Sequence, residues 1–127
     1  MTPYNLLKEV WKSGAVSVWV KDQQAKAKWK GRAPAHIRGS FIESKDLLGK
    51  WIVSEARAGR RYIWNDTISD LVCISRSDEA TKNCPDGAVP YCHTELTCLD
   101  GVNDKDLRLI HSAKKAFGGR IEIPRAI

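Results

Sequence analysis

The sequence predicts an α+β fold in a single domain, a mainly antiparallel sheet of five or six strands with an N-terminal helix and a C-terminal helix packed on it. Three observations carry that expectation. Apolar residues recur at helical spacing near both ends of the chain, period-two alternation fills several stretches between them, and Gly, Pro, Asn and Asp punctuate the segments. A length of 127 residues with 43 % hydrophobic content and five Trp suits one core, so residues 1–127 read as one compact domain.

Thr2 can cap a helix with Pro3 in its first turn, and Leu6, Leu7, Val10 and Trp11 supply its apolar face before Gly14 stops it. Residues 15–21 then switch to strand alternation, with Val16, Val18 and Val20 on one side and Ser17 and Trp19 on the other. Residues 25–30 alternate strictly, which in an extended chain sends Lys26, Lys28 and Lys30 to one face and Ala25, Ala27 and Trp29 to the other. Gly31, Pro34 and Gly39 mark the next stretch as a basic loop carrying Arg32, His36 and Arg38.

Residues 50–76 read as three antiparallel strands, 51–57, 60–65 and 70–76, with Ala58-Gly59 as a tight turn between the first two. Residues 77–89 have loop chemistry, and 91–98 are expected to form another short strand. Asn103 or Asp104 caps a second helix to about Phe117, with Leu109, Ile110, Ala113, Ala116 and Phe117 as its apolar stripe and Arg108, His111 and Lys115 opposite. Gly118-Gly119 ends it before a last strand at 120–123.

Charge is concentrated in one place. Residues 21–61 hold eleven Lys or Arg against four acids, while the rest of the chain is close to neutral and the whole carries +6. A field confined to one stretch suits a polyanionic partner, RNA or DNA, better than it suits mere solubility. In the expected hairpin Arg57 pairs with Arg60, Glu55 with Tyr62 and Val53 with Trp64. Two opposed arginines with Arg61 beside them are unfavourable unless an anion lies there. Tyr62 and Trp64 would add aromatic plates next to the cations, the combination that unpaired nucleic acid uses. The expected phosphate contacts are Lys26, Lys28, Lys30, Arg32, Arg38, Arg57, Arg60 and Arg61, with Tyr62 and Trp64 available for stacking.

No catalytic signature stands out, so a small, non-enzymatic nucleic-acid-binding protein is expected. Two other classes fit the same charge. One is a basic, toxin-like ribonuclease or nuclease using His36 for proton transfer among Lys30, Arg32 and Arg38. The other is an inhibitor or accessory protein docking on an acidic protein surface.

Cys73, Cys84, Cys92, His93 and Cys98 fall within 26 residues. Zinc would need four ligands with two of them in one tight knuckle. The gaps Cys84-x7-Cys92 and Cys92-x5-Cys98 and the adjacent Cys92-His93 pair do not supply one, which leaves Cys84, Cys92, His93 and Cys98 a poor zinc set. Cys73 and Cys98 read as buried free thiols, and a Cys84–Cys92 disulfide would need an oxidising setting. The start of the chain lacks a basic leader followed by an apolar run, and the longest apolar stretch, 15–20, is interrupted by Ser17. The expectation is therefore a soluble, cytoplasmic protein without a membrane partner.

Overall fold

The computed structural model describes residues 1–85 and 87–118, with the side chains of Asp78 and Glu79 left out. The first helix, α1 (Pro3–Lys12), forms as its sequence dictates. Thr2 Oγ1 accepts the Asn5 amide at 3.2 Å, Pro3 occupies the first turn, and Tyr4, Leu6, Leu7 and Val10 are buried. Strands β1 (Ala15–Lys21) and β2 (Gln24–Trp29) pair antiparallel through the two-residue turn Asp22-Gln23. Both turn residues have positive φ, 53° and 65°, as a type I′ hairpin requires.

The largest departure from the expected strands comes next. Residues 35–39, expected in the basic loop, and 51–57, expected as a strand, join the residues between them in one continuous 23-residue helix, α2 (Ala35–Arg57). Its buried positions, Ile37, Phe41, Leu48, Gly49 and Glu55, fall at helical intervals. The run Trp51-Ile52-Val53 has strand propensity on its own, but as the last turns of an established helix it is added at the low cost of propagation. Glu55 hides the period because a charge stands where an apolar residue is expected. Ala58-Gly59 is no hairpin turn: Ala58 caps the helix, and Gly59 at φ 88° ends it.

Strand β3 (Arg60–Asn65) then pairs antiparallel with β4 (Asp70–Ser75), and Asn65 Oδ1 accepts the amides of Thr67 and Ile68 in the connection. A short helix, α3 (Asp78–Thr81), carries the chain over to β5 (Val89–Cys92), which lies parallel to β4. The expected single sheet of five or six strands is thus replaced by two small ones, a two-stranded hairpin and a three-stranded sheet in the order β3-β4-β5. Conversion of residues 35–57 to helix removes the strand that would have joined them. Residues 93–98 are also helical, as α4 (His93–Cys98), because Glu95 Oε1 accepts the Cys92 amide at 3.1 Å and turns the chain at the end of β5. The last helix, α5 (Asp104–Phe117), starts where expected, with Asn103 Oδ1 accepting the Asp106 amide. The strand expected at 120–123 lies outside the described residues.

The main core joins α1, the inner face of the hairpin, α2 and Leu71 of β4; a smaller one, Val72, Val89 and Tyr91, lies on the other side of β4. Helix α5 is held by charge. His111 Nε2 donates to Asp70 Oδ2 at 2.9 Å, its Nδ1 lies 2.6 Å from the Tyr91 hydroxyl, and Lys114 reaches Glu95 Oε2 at 2.7 Å, all buried. Lys8 lies 3.1 Å from the other Asp70 oxygen, and Lys115 lies 3.5 Å from Oδ2. The expected orientation of α5 holds for Arg108 and Lys115, which are exposed, but not for the rest: His111 points inward, Ile110 is half-buried, and Leu109, Ala113, Ala116 and Phe117 are exposed. The carboxylates of Asp70 and Glu95 could not be buried without those cations.

Two glycines of α2 give opposite expectations. A Cβ on Gly49 would sit 2.3 Å from the Gln23 carbonyl oxygen and 2.8 Å from the Ala25 nitrogen, whereas one on Gly39 meets nothing within 4 Å. In urea unfolding, Gly49→Ala should cost roughly 3 kcal/mol or more and Gly39→Ala should gain about 0.5–1 kcal/mol.

Burial alone would raise the Asp70 carboxyl, but hydrogen bonds from His111, Lys8 and the Leu71 amide outweigh it and lower the pKa to about 2. A carboxyl depressed in the folded state adds stability that is complete above its unfolded pKa and vanishes as pH falls through the folded one. Unfolding free energies measured at pH 7 and pH 2 should show the gap between wild type and Asp70→Asn narrowing by about 2 kcal/mol, most of it below pH 4.

Candidate nucleic-acid interface

The strongest surface feature is the outer face of the β1–β2 hairpin. Residues directly opposite in an antiparallel pair share a face, so Val18 with Ala27 and Val20 with Ala25 point toward α2. Ser17 with Lys28, Trp19 with Lys26, and Lys21 with Gln24 point outward. A bulge beside Val16 restores Ala15 and Trp29 to the inner side, where Trp29 meets Phe41 edge-on at 6.3 Å. Trp19 is thus left 45 % exposed, with Lys26 across from it and Lys28 on the diagonal.

The cations continue along the chain. Lys30 and Arg32 are exposed in the connection to α2, and Arg38 is exposed in its first turns. No acid occurs between Gln24 and Ile42. The first turn of α2 also lacks an acid, so the partial positive charge of its N-terminus is not offset there. Lys26, Lys28, Lys30, Arg32 and Arg38 therefore follow one another along the chain with no acid between them.

The arginines expected to join them are elsewhere. Arg57 lies nineteen positions beyond Arg38, roughly 28 Å along the axis of α2. Arg57 and Arg61 are exposed at that far end, where Arg61, Arg76 and His93 line a hollow of about 450 Å³.

Arg60 is buried and committed. Its Nε donates to Glu55 Oε1 at 2.9 Å, one terminal nitrogen to Oε2 at 2.5 Å, and the other to the Ala80 carbonyl at 3.0 Å. The Tyr62 hydroxyl donates to the same carboxylate. Burial works to raise the Glu55 carboxyl, but these bonds from Arg60 and Tyr62 hold it below the usual range. The expected apposition of Arg57 with Arg60 across a hairpin, and the anion it called for, are accordingly corrected. Glu55 and Tyr62 do meet, but from a helix to a strand.

Tyr62 is packed between Trp51 and Tyr4, with ring centroids at 5.0 and 5.8 Å, and the Trp64 indole donates to Asp66 at 2.9 Å. Both are half-buried and engaged, unlike Trp19. His36 is exposed at the start of α2 and shows no hydrogen bond to a carboxylate or a second base among the described residues.

The cysteines do not assemble the zinc set considered above. Cys92 precedes α4 with its sulfur 3.1 Å from Thr94 Oγ1, His93 is exposed, Cys98 ends α4, and Cys84 lies against Cys73 rather than Cys92. Among the described residues no three His, Cys, Asp or Glu gather as ligands. Among them, too, no helix is long and apolar enough to cross a membrane.

No family model, curated protein or solved structure matches this chain. Its surface chemistry has to speak for it.

Trp19 was missed as a candidate because a strand Trp is ordinarily counted as core. The signal was nevertheless present: it is out of phase with Val18 and Val20, and Asp22-Gln23 folds it against the lysine ladder. The division of the arginines is testable by unfolding. Arg60→Ala should cost about 3–5 kcal/mol by leaving Glu55 buried without its cation, whereas Arg57→Ala and Arg61→Ala should each stay within about 0.5 kcal/mol.

Proposed function

We propose that this protein binds single-stranded nucleic acid on the outer face of the β1–β2 hairpin, without catalysis. The single observation that carries the proposal is the exposed Trp19, which faces Lys26 directly and has Lys28 on the diagonal. An exposed indole offers any base a stacking surface, and the ammonium groups beside it answer the phosphates on either side of that base. Lys21 extends the track toward the turn, and Lys30, Arg32 and Arg38 extend it toward α2. A groove that follows one strand needs this linear layout, whereas reading a duplex calls for an element shaped to enter a groove.

The hairpin is also suited to the task mechanically. Its inner face is anchored by Ala25, which is buried against α2, so the lysines project from a rigid support. Long flexible side chains on fixed backbone adapt to different sequences at little cost, which favours sequence-tolerant binding.

The test is a titration of a fluorescein-labelled oligothymidylate, followed by anisotropy over a range of salt concentrations. Each ammonium that displaces a counterion from a single strand adds about 0.7 to the slope of log K against log salt, so Lys26→Ala with Lys28→Ala should flatten it by about 1.4. Trp19→Ala should weaken binding about tenfold with little change in slope, as loss of one stacked base predicts. Arg57→Ala with Arg61→Ala should leave both quantities unaltered. Absence of binding at low salt, salt-independent binding, or a slope that responds to Arg57 and Arg61 instead would overturn the assignment.

A further inference from the structure

Away from the hairpin, β4 and the segment before β5 bring two thiols together. Cys73 lies at the centre of β4, opposite Tyr62 and fully buried, while Cys84 is half-exposed; their sulfurs are 3.8 Å apart. Eleven positions of sequence separate them, so only the fold makes them neighbours.

The surroundings favour a negative charge on the outer sulfur. The Arg60 guanidinium, held on the Ala80 carbonyl at 3.0 Å, lies near Cys84; the thiol's own 3.8 Å contact with that oxygen works the other way, favouring the protonated form. Two buried hydroxyls, Tyr4 Oη and Ser75 Oγ, have no hydrogen-bond partner among the described residues. Ser75 follows Cys73 on the same face of β4, and Tyr4 is close enough to feel both sulfurs electrostatically. A hydrogen bond from Cys73, with the nearby Arg60 charge, outweighs burial and the Glu55 charge and lowers the Cys84 thiol to about 7. Cys73 is pushed the other way, because it donates to Cys84 and is itself desolvated. One sulfur is thus an accessible nucleophile at neutral pH, and the other is an inaccessible thiol within its reach.

We propose that Cys73 and Cys84 form a reversible disulfide on exposure to a hydroperoxide, with Cys84 as the attacking sulfur and Cys73 as the resolving one. In the first step the Cys84 thiolate attacks the terminal peroxide oxygen. The O–O bond breaks, the alcohol or water leaves after taking up a proton, and Cys84 becomes a sulfenic acid. In the second step Cys73, giving up its proton, attacks the sulfenic sulfur. The S–S bond forms, the S–O bond breaks, and the hydroxyl departs as water. Two thiols have then been oxidised by two electrons and the hydroperoxide reduced by two. An external dithiol reverses the change by exchange and is itself oxidised to a disulfide.

Chemistry of this kind also acts on the fold. The new bond would tie the segment after α3 to the middle of β4, beside the Glu55–Arg60 pair that joins α2 to β3. It requires no ligand other than the oxidant.

The full-length reduced protein would be treated with one equivalent of hydrogen peroxide at pH 7 and mapped without reduction, using trypsin to cut after Arg76 and Lys82 between Cys73 and Cys84, and chymotrypsin to cut after Tyr91 between Cys84 and Cys92. The expected result is a Cys73–Cys84 linked peptide, a fall from four titratable thiols to two, and recovery of four after dithiothreitol. In Cys73→Ala, dimedone should trap a sulfenic acid on Cys84. In Cys84→Ser, peroxide consumption should fall by at least about tenfold, in keeping with loss of the attacking thiolate. A link through Cys92 or Cys98, crosslinked dimers, four unreacted thiols, or a bond that dithiothreitol does not reverse would overturn the proposal. The wild-type map decides this even if Cys73→Ala does not fold.

Discussion

The contact of the hairpin backbone with α2 at Gly49 is the constraint on which the rest of the architecture depends. No side chain fits between the helix and the Gln23–Ala25 backbone, so the two elements touch directly. This close approach makes the inner face of the hairpin small, as Ala25 and Ala27 show, and leaves Leu48 fully buried beside it. With the inner face committed, period two sends Trp19, Lys26 and Lys28 outward. The candidate interface is therefore a consequence of how the opposite face packs.

Helix α2 relays the same constraint to the other side of the molecule. It also packs on α1, and at its last buried turn Glu55 gathers Arg60 and Tyr62 from β3. A buried carboxylate with a two-pronged guanidinium permits one relative position of helix and strand, because any slip leaves an uncompensated charge. Asp70 and Glu95 act likewise on α5, through His111 and Lys114, and Asp70 also holds α1 through Lys8. Three buried acids thus set the orientation of elements whose apolar contacts alone would admit others. The cost is visible on α5, where satisfying His111 and Lys114 leaves Leu109 and Phe117 facing water.

The arginines divide for the same reason. Sequence proximity placed Arg57, Arg60 and Arg61 together as one cationic tip, but a helix end and a strand start give neighbouring residues different surroundings. Arg60 turns in to Glu55, and its neighbours stay out. Tyr62 and Trp64, expected as stacking plates, are held by Glu55 and Asp66 instead. Trp19 has no such bond among the described residues.

Local chemistry was enough to establish much of this chain. Thr2 with Pro3 specified α1, the strict alternation at 25–30 specified β2 and its outward lysines, and Asn103 specified the start of α5. Each of these signals is complete within a few residues, through a cap or a period. Tertiary structure decided the remainder: that residues 35–57 are one helix, that Arg60 is buried, that α5 turns its histidine inward, and that Cys73 meets Cys84. In each of those cases the partner is distant in sequence or disguised as a charge on a buried face. Polarity along the chain reports average burial, but whether a charged residue is buried depends on a counter-charge arriving from another element, which no local pattern contains.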